Sequence, residues 1–215
     1  MDNRPACLHC QTNRRRLIGG GLVLGLGLLL PTVSEAAGHF RQFTGDILVD
    51  GRKATAQTRI RPNSRIETRS GGSASFVMGN NAFLLKPESS VHLARAQVRS
   101  GAISGFRLLS GAILGVFGPG PKKLVTTTAT IGIRGTGVYF ESRPESSYIC
   151  LCYGAIDLNA NIAPQALQPV SATHHEARNI AAAGDIQPAG MLNHTDEELI
   201  MLEDMVGRKP PFLTA

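Results

Sequence analysis

Between Phe40 and Leu158 the sequence never runs far without a turn signal, and this limits what it can fold into. Short β-rich runs alternate with Asp50-Gly51, Pro62-Asn63-Ser64, Ser70-Gly71-Gly72, Gly79-Asn80-Asn81 and Lys86-Pro87. Turns spaced about every ten residues suit a sandwich, a barrel or a solenoid of short strands. Asp-Gly between two such runs signals a two-residue hairpin, because both positions tolerate positive φ. The spacing has no fixed period, which argues against a regular β-helix. The 24 glycines and 12 prolines, with no tryptophan, agree with a chain of many tight turns.

The densest β signal lies between Lys122 and Leu158. Thr126–Thr130, Val138–Phe140 and Tyr148–Leu158 are rich in β-branched and aromatic residues, which fit a pleated, half-buried surface. Glycines at 132, 135 and 137 break the first run, and Arg143-Pro144-Glu145-Ser146 is a turn signal. The expected order is strand, tight bend, strand, hairpin loop, strand. Residues 132–137 lack the Lys-Ser/Thr of a phosphate loop, and no helical pattern follows them. Arg134 is therefore expected to cap backbone carbonyls or to pair with a carboxylate inside the fold.

The pattern V-T-T-T-A-T-I-G-I-R-G-T-G over Val125–Gly137 resembles the signature of FecR-type domains, a β-rich module of the bacterial envelope. Arg134-Gly135-Thr136 is its most specific part. Gly45-Asp46-Ile47, Ser64-Arg65-Ile66-Glu67-Thr68 and Ser73-Ala74-Ser75-Phe76 fit the same family, so the resemblance covers residues 45–158. It implies a compact, partly solenoid-like stack of short strands. The best-known members are transmembrane anti-sigma regulators of iron uptake, while many relatives have no regulatory part. The regulators carry a cytoplasmic sigma-binding domain ahead of the membrane span. Here 16 residues precede the apolar run, too few to bury a core, so direct control of a sigma factor is not expected.

The N-terminal segment reads as an export signal. Arg14-Arg15-Arg16-Leu17-Ile18 resembles a twin-arginine signal, with Arg14 and Arg15 as its pair, and Leu17–Leu30 is a 14-residue apolar run. As a helix it would span about 21 Å, short of the roughly 30 Å of a bilayer core. Pro31 ends it, and Ser34-Glu35-Ala36 places small residues for cleavage after Ala36. The expected location is the periplasm; an uncleaved segment would instead anchor the chain to the inner membrane. Cys7-Leu8-His9-Cys10 supplies at most three ligands ahead of this signal, so no zinc site is expected there. The formal charge of +6 falls to +4 once the four arginines and two acidic residues of positions 1–36 are removed. No basic run is interleaved with aromatics, so nucleic acid is not an expected partner.

Cys150 and Cys152 are the cysteines left after the signal segment. Two residues apart on a strand, they face one side with Tyr148, while Ile149, Leu151 and Tyr153 face the other. Their Cα atoms would lie about 6.6 Å apart with parallel Cβ vectors, which aims them poorly for a disulfide. Three states fit: a strained disulfide, two buried thiols, or two thiolates on one metal ion. His174 and His175 are the candidate further ligands, and adjacent residues on a strand would send only one of them inward. Thiolates with imidazoles suit zinc or copper.

Toward the C-terminus, Thr195 with Glu198 forms a capping box. Asp196 and Glu197 place negative charge on the positive end of the helix dipole. Leu199, Leu202, Met205 and Val206 form an apolar stripe, and Gly207 is the expected stop. His194, beside the cap, reads as a surface residue.

The sequence thus points to an all-β protein, a sandwich-like or solenoid-like stack of short strands with a short C-terminal helix. A signal peptide is expected at residues 1–36, a FecR-like β domain at 37–160, and an extension at 161–215 with a helix at 195–206. No catalytic triad, paired acid/base carboxylates or cofactor loop is recognisable, so the chain does not read as an enzyme. A non-catalytic module binding an envelope protein is the leading function. A metal-binding or thiol-redox protein and a membrane-anchored signalling relay are the alternatives.

Overall fold

A computed structural model of the chain describes residues 37–95 and 103–213. The expected export segment with Arg14 and Arg15, the expected cleavage site and the Cys7/Cys10 pair lie outside them. The strands are β1 (Gly38–Thr44), β2 (Ile47–Val49), β3 (Arg52–Lys53), β4 (Arg59–Ile60), β5 (Arg65–Thr68), β6 (Ser73–Met78), β7 (Asn81–Leu85) and β8 (Ser90–Arg95). There follow β9 (Ile103–Val116), β10 (Lys122–Val125), β11 (Ala129–Ile133), β12 (Gly137–Ser142) and β13 (Ser146–Ala160). The chain closes with β14 (Gln168–Ala172), β15 (Glu176–Ala181), β16 (Ile186–Ala189) and helix α1 (Asp196–Met205). Among the described residues no helix is long and apolar enough to cross a membrane.

The two long strands organise the rest, because each pairs in two layers. The first half of β9 pairs with β8 and β10, and the half from Gly111 onward pairs with β7 and β12. Strand β13 pairs first with β12 and β15, then beyond Gly154 with β11 and β14. The sheet therefore folds over on itself. One layer runs β4-β1-β6-β7-β9-β12-β13-β15-β16 and the other β3-β2-β5-β8-β9-β10-β11-β13-β14. Among the described strands every pairing is antiparallel except β9 with β10. The chain is all-β with a short C-terminal helix, its strands joined in one sheet that closes over on itself.

Alternation along the strands fills the space between the layers. Phe76 stacks on Phe83 (ring centroids 5.0 Å apart), Phe83 meets Phe106 of the other layer edge-on (5.8 Å), and Phe106 meets Phe140 (5.9 Å). All four rings are buried, and burying such a side chain contributes about 1.5–3 kcal/mol. A second apolar cluster lies on the outer face of the first layer, where Val77, Ala82, Leu114, Val116 and Tyr139 meet Leu199 and Leu202 of α1. The helix begins as its sequence dictates: Thr195 is the N-cap, and both bonds of the capping box with Glu198 are made. Gly207 follows with φ of +71°.

Asp50 and Gly51 both take positive φ and join β2 to β3, as the hairpin signal requires. The single strand expected over Thr126–Thr130 is instead broken. Thr126 donates to the Ala129 carbonyl through its backbone N (2.9 Å) and its hydroxyl (3.2 Å), and Thr128 Oγ1 donates to the Ile180 carbonyl (3.0 Å). Short hydroxyl side chains that satisfy nearby backbone groups favour a turn over a ladder, so residues 126–128 connect β10 to β11. Beyond residue 160, β14, β15 and β16 extend both layers.

Gly154 has φ of +98°, and a Cβ there would lie 2.6 Å from Thr136 Cγ2. Gly154→Ala should lower the unfolding free energy by about 2–3 kcal/mol, as a shifted urea midpoint at unchanged slope. A loss below about 0.5 kcal/mol, within the range of surface substitutions, would mean that the bend of β13 does not depend on this residue.

Candidate metal centre

The centre begins with an irregularity in β13. Opposite it on β12, Tyr139 pairs with Cys150, Val138 with Leu151, and Gly137 with Tyr153, so Cys152 is the extra residue of a β-bulge. Up to Cys152 the alternation holds: Tyr148, Cys150 and Cys152 lie in the outer cluster, Ile149 and Leu151 in the core. The bulge then flips the register and moves Tyr153 to the outer face, where strict alternation had assigned it to the core side. Both cysteines are 0% exposed and carry free thiols.

His175 lies between β14 and β15, and its backbone N donates to the Cys152 carbonyl (3.1 Å). Its φ is +50°, a left-handed conformation that histidine adopts more readily than most residues. The strand alternation expected at His174-His175 therefore fails, and both rings turn toward Asp196. His174 Nε2 lies 3.0 Å and His175 Nε2 2.9 Å from its carboxylate. His175 Nδ1 lies 3.5 Å from Cys150 Sγ. His174 sits outside the sulfur cluster, in a group with His175 and Asp196.

The fourth member is His194, which the sequence placed on the surface. It is 5% exposed, with Nε2 3.4 Å from Cys152 Sγ. Its ring stacks on Tyr139, with centroids 4.6 Å apart at 15°. Nδ1 lies 2.7 Å from the Leu192 carbonyl. One sequence signal bears on this placement. His194 immediately precedes the cap of a helix whose apolar stripe must be buried, so docking that stripe carries the histidine to the same face.

The partners fix both imidazole tautomers. A backbone carbonyl can only accept, so His194 carries its proton on Nδ1 and turns the Nε2 lone pair toward Cys152. Asp196 is held below the usual carboxylate range: burial pushes it up, but hydrogen bonds from His175 and His174 outweigh this. His175 thus donates Nε2–H to a carboxylate and turns the Nδ1 lone pair toward Cys150. A carboxylate or carbonyl behind each imidazole is the usual outer shell of a metal-bound histidine.

Cys150 Sγ, Cys152 Sγ and one nitrogen each of His175 and His194 lie within 4.8 Å of one another. Bonds of about 2.3 Å to sulfur and 2.0–2.1 Å to nitrogen around a tetrahedral ion leave donors about 3.3–3.8 Å apart. The two sulfur–nitrogen contacts already have that spacing. The sulfurs also titrate as a pair. Cys150 is held well below the usual thiol range, chiefly by its hydrogen bond with Cys152, against burial. Cys152 is pushed up by burial and then by its contact with Cys150. The protein groups thus favour one thiolate, and a divalent cation would bring out the second.

A buried polar frame holds the loop before α1. Asn193 Nδ2 donates to Glu141 Oε1 (2.6 Å), which also accepts from Tyr139 Oη (2.9 Å). Tyr148 Oη donates to the Gly190 carbonyl (2.7 Å) and accepts from Leu192 N (3.0 Å). The Arg134-Gly135-Thr136 turn supports the centre from a distance. Arg134 does meet a carboxylate, Asp157 at 3.7 Å, but on the surface with its side chain 80% exposed, so the interior role expected of it is not found. Thr136 is fully buried, and with Gly135 it packs against Gly154, where β13 bends just beyond Cys152.

No family model matches the chain, and no curated protein matches it. Two crystal structures of a candidate anti-sigma factor from Parabacteroides distasonis, at 1.65 and 2.50 Å resolution, are similar to it. Each gives a TM-score of 0.50, at 11% and 10% identity, over 65% of this chain and 64% of that protein. The chain thus spans just under two thirds of that protein's length, and at this identity the likeness is one of fold.

Burial of both sulfurs has a direct readout. With Cys7 and Cys10 replaced by serine, the metal-free folded chain should react slowly with a thiol reagent and show two thiols once denatured without reductant. A count of zero in denaturant would reveal a disulfide instead.

Proposed function

We propose that this chain is an exported, non-catalytic metal-binding module of FecR type, holding one zinc ion between Cys150, Cys152, His175 and His194. The observation that carries this reading is the convergence of two thiols and two oriented imidazole lone pairs in one buried cluster. Two thiolates and two imidazoles in a tetrahedral set suit zinc. Copper electron-transfer sites favour a trigonal set of two histidines and one cysteine with a weak axial ligand, which this donor set does not resemble. Four protein ligands leave no coordination position for water or substrate, which fits a structural or regulatory role rather than catalysis. The twin-arginine-like segment at Arg14-Arg15 supports export to the periplasm, and the pathway delivers proteins already folded, which suits a buried metal loaded before export.

The second reading is a module that binds an envelope protein, as a free periplasmic protein or as a relay held to the membrane by an uncleaved N-terminal segment. The fold shared with a candidate anti-sigma factor supports it. The two readings are compatible, since a metal-stapled surface can still dock a partner. The geometry ranks metal binding first, whereas sequence alone ranked it second.

The protein exported by its own signal should contain about one zinc per chain, as for other structural zinc sites. Cys150→Ser with Cys152→Ser should abolish binding. His194→Ala should weaken it by more than about 100-fold, a larger loss than outer-shell changes produce. His174→Ala should stay within the outer-shell range, about 10–100-fold or less. Undiminished metal in the double serine variant, or a larger loss from His174→Ala than from His194→Ala, would refute this assignment.

A further inference from the structure

The candidate centre joins strand β13 to the residue that immediately precedes the cap of α1. We propose that the bound ion latches the C-terminal segment, residues 190–206, onto the first layer, so that site occupancy sets how often α1 leaves the outer sheet face. This inference rests on the metal-binding reading and concerns the regulation of that same site.

The helix covers an apolar face formed by Val77, Ala82, Leu114 and Val116, against which Leu199 and Leu202 are fully buried. Its polar holds on the sheet are Lys86 with Glu198, Tyr153 with Glu203, and Arg208 Nη1 with the Asn80 carbonyl (2.8 Å), and the loop before it is held by Asn193 on Glu141 and by Tyr148 on Gly190 and Leu192. Each such bond is exchanged for water when the segment lifts, so each contributes modestly. His194 and Asp196 behave differently. His194 supplies one of the four donors, and Asp196, in the first turn of α1, orients a second through His175. Lifting the segment removes one ligand and frees another to rotate, so the ion must bind the closed form more tightly than the open one.

Linkage turns that difference into a switch. An ion that binds only the closed form suppresses opening by a factor of one plus its concentration over Kd, about 100-fold at a free concentration of 100 Kd. The coupling is reciprocal: whatever holds α1 off the sheet weakens metal binding by the same factor. The centre would then report metal supply as the exposure of an apolar sheet face.

Hydrogen exchange of the α1 amides in the full exported chain, zinc-loaded and metal-free, tests the latch. At zinc near 100 Kd, exchange at Leu199 and Leu202 should slow by about 100-fold. His194→Ala should lose most of that slowing, even at zinc levels that fill the three remaining ligands, and His194→Cys should restore it. Zinc binding with unchanged exchange in α1 would overturn the latch and leave the metal site standing. Equal slowing in wild type and His194→Ala would do the same. A chain that binds no zinc would remove both the latch and the reading beneath it.

Discussion

Strand β13 has to serve two layers at once, and most of the molecule follows from how it does so. Its first half lies between β12 and β15, and its second half between β11 and β14. A strand that changes layer must bend, and the bend falls at Gly154, with the bulge at Cys152 just before it. Bulges increase local twist and re-aim side chains. Here alternation sets Cys150 and Cys152 on the outer face, and the bulge carries Tyr153 there too, where its hydroxyl meets Glu203 of the helix region. The Arg134-Gly135-Thr136 turn packs its threonine into the corner this creates. The most recognisable motif in the sequence is thus a structural brace for the strand that bears the cysteines.

The outer face then sets a charge problem. Two thiols, two imidazoles, three tyrosines and two carboxylates meet there with little solvent, and burial raises the cost of every uncompensated charge. The tyrosines stay protonated: burial first, then the neighbouring Glu141, pushes Tyr139 up, and burial and Glu203 do the same for Tyr153. Glu141 and Glu203 are each answered, by Tyr139, Asn193 and Arg143 in one case and by Tyr153 and Arg208 in the other. The sulfur pair differs, because two lone pairs and a favoured negative charge converge where hydrogen bonds alone leave donors scarce. A dication bound there would answer that imbalance directly.

Much of this was legible in the sequence where a local rule decides the outcome. Asp50-Gly51 dictates its hairpin through backbone sterics, Thr195 and Glu198 dictate the start of the helix, and the same-face relation of Cys150 and Cys152 follows from a period of two. The misses share one cause, which is that long-range contacts override local pattern. Alternation failed for Tyr153 because the bulge is set by pairing with β12. It failed for His174 and His175 because the Cys152 carbonyl captures the His175 amide. Thr126–Thr128 has the β propensity of a strand, yet its hydroxyls find backbone partners and form a turn. His194 was assigned to the surface because a residue beside a helix cap is usually exposed. Its burial follows from the docking of the helix's apolar stripe, and the face on which that stripe docks is set by distant strands.

In the proposed centre, sulfur and nitrogen from both ends of the outer face meet on one ion. X-ray absorption at the zinc edge of the zinc-loaded protein measures this directly. Two sulfur atoms at about 2.3 Å and two nitrogen atoms at about 2.0–2.1 Å are expected. A first shell of oxygen and nitrogen alone, without sulfur, would contradict it.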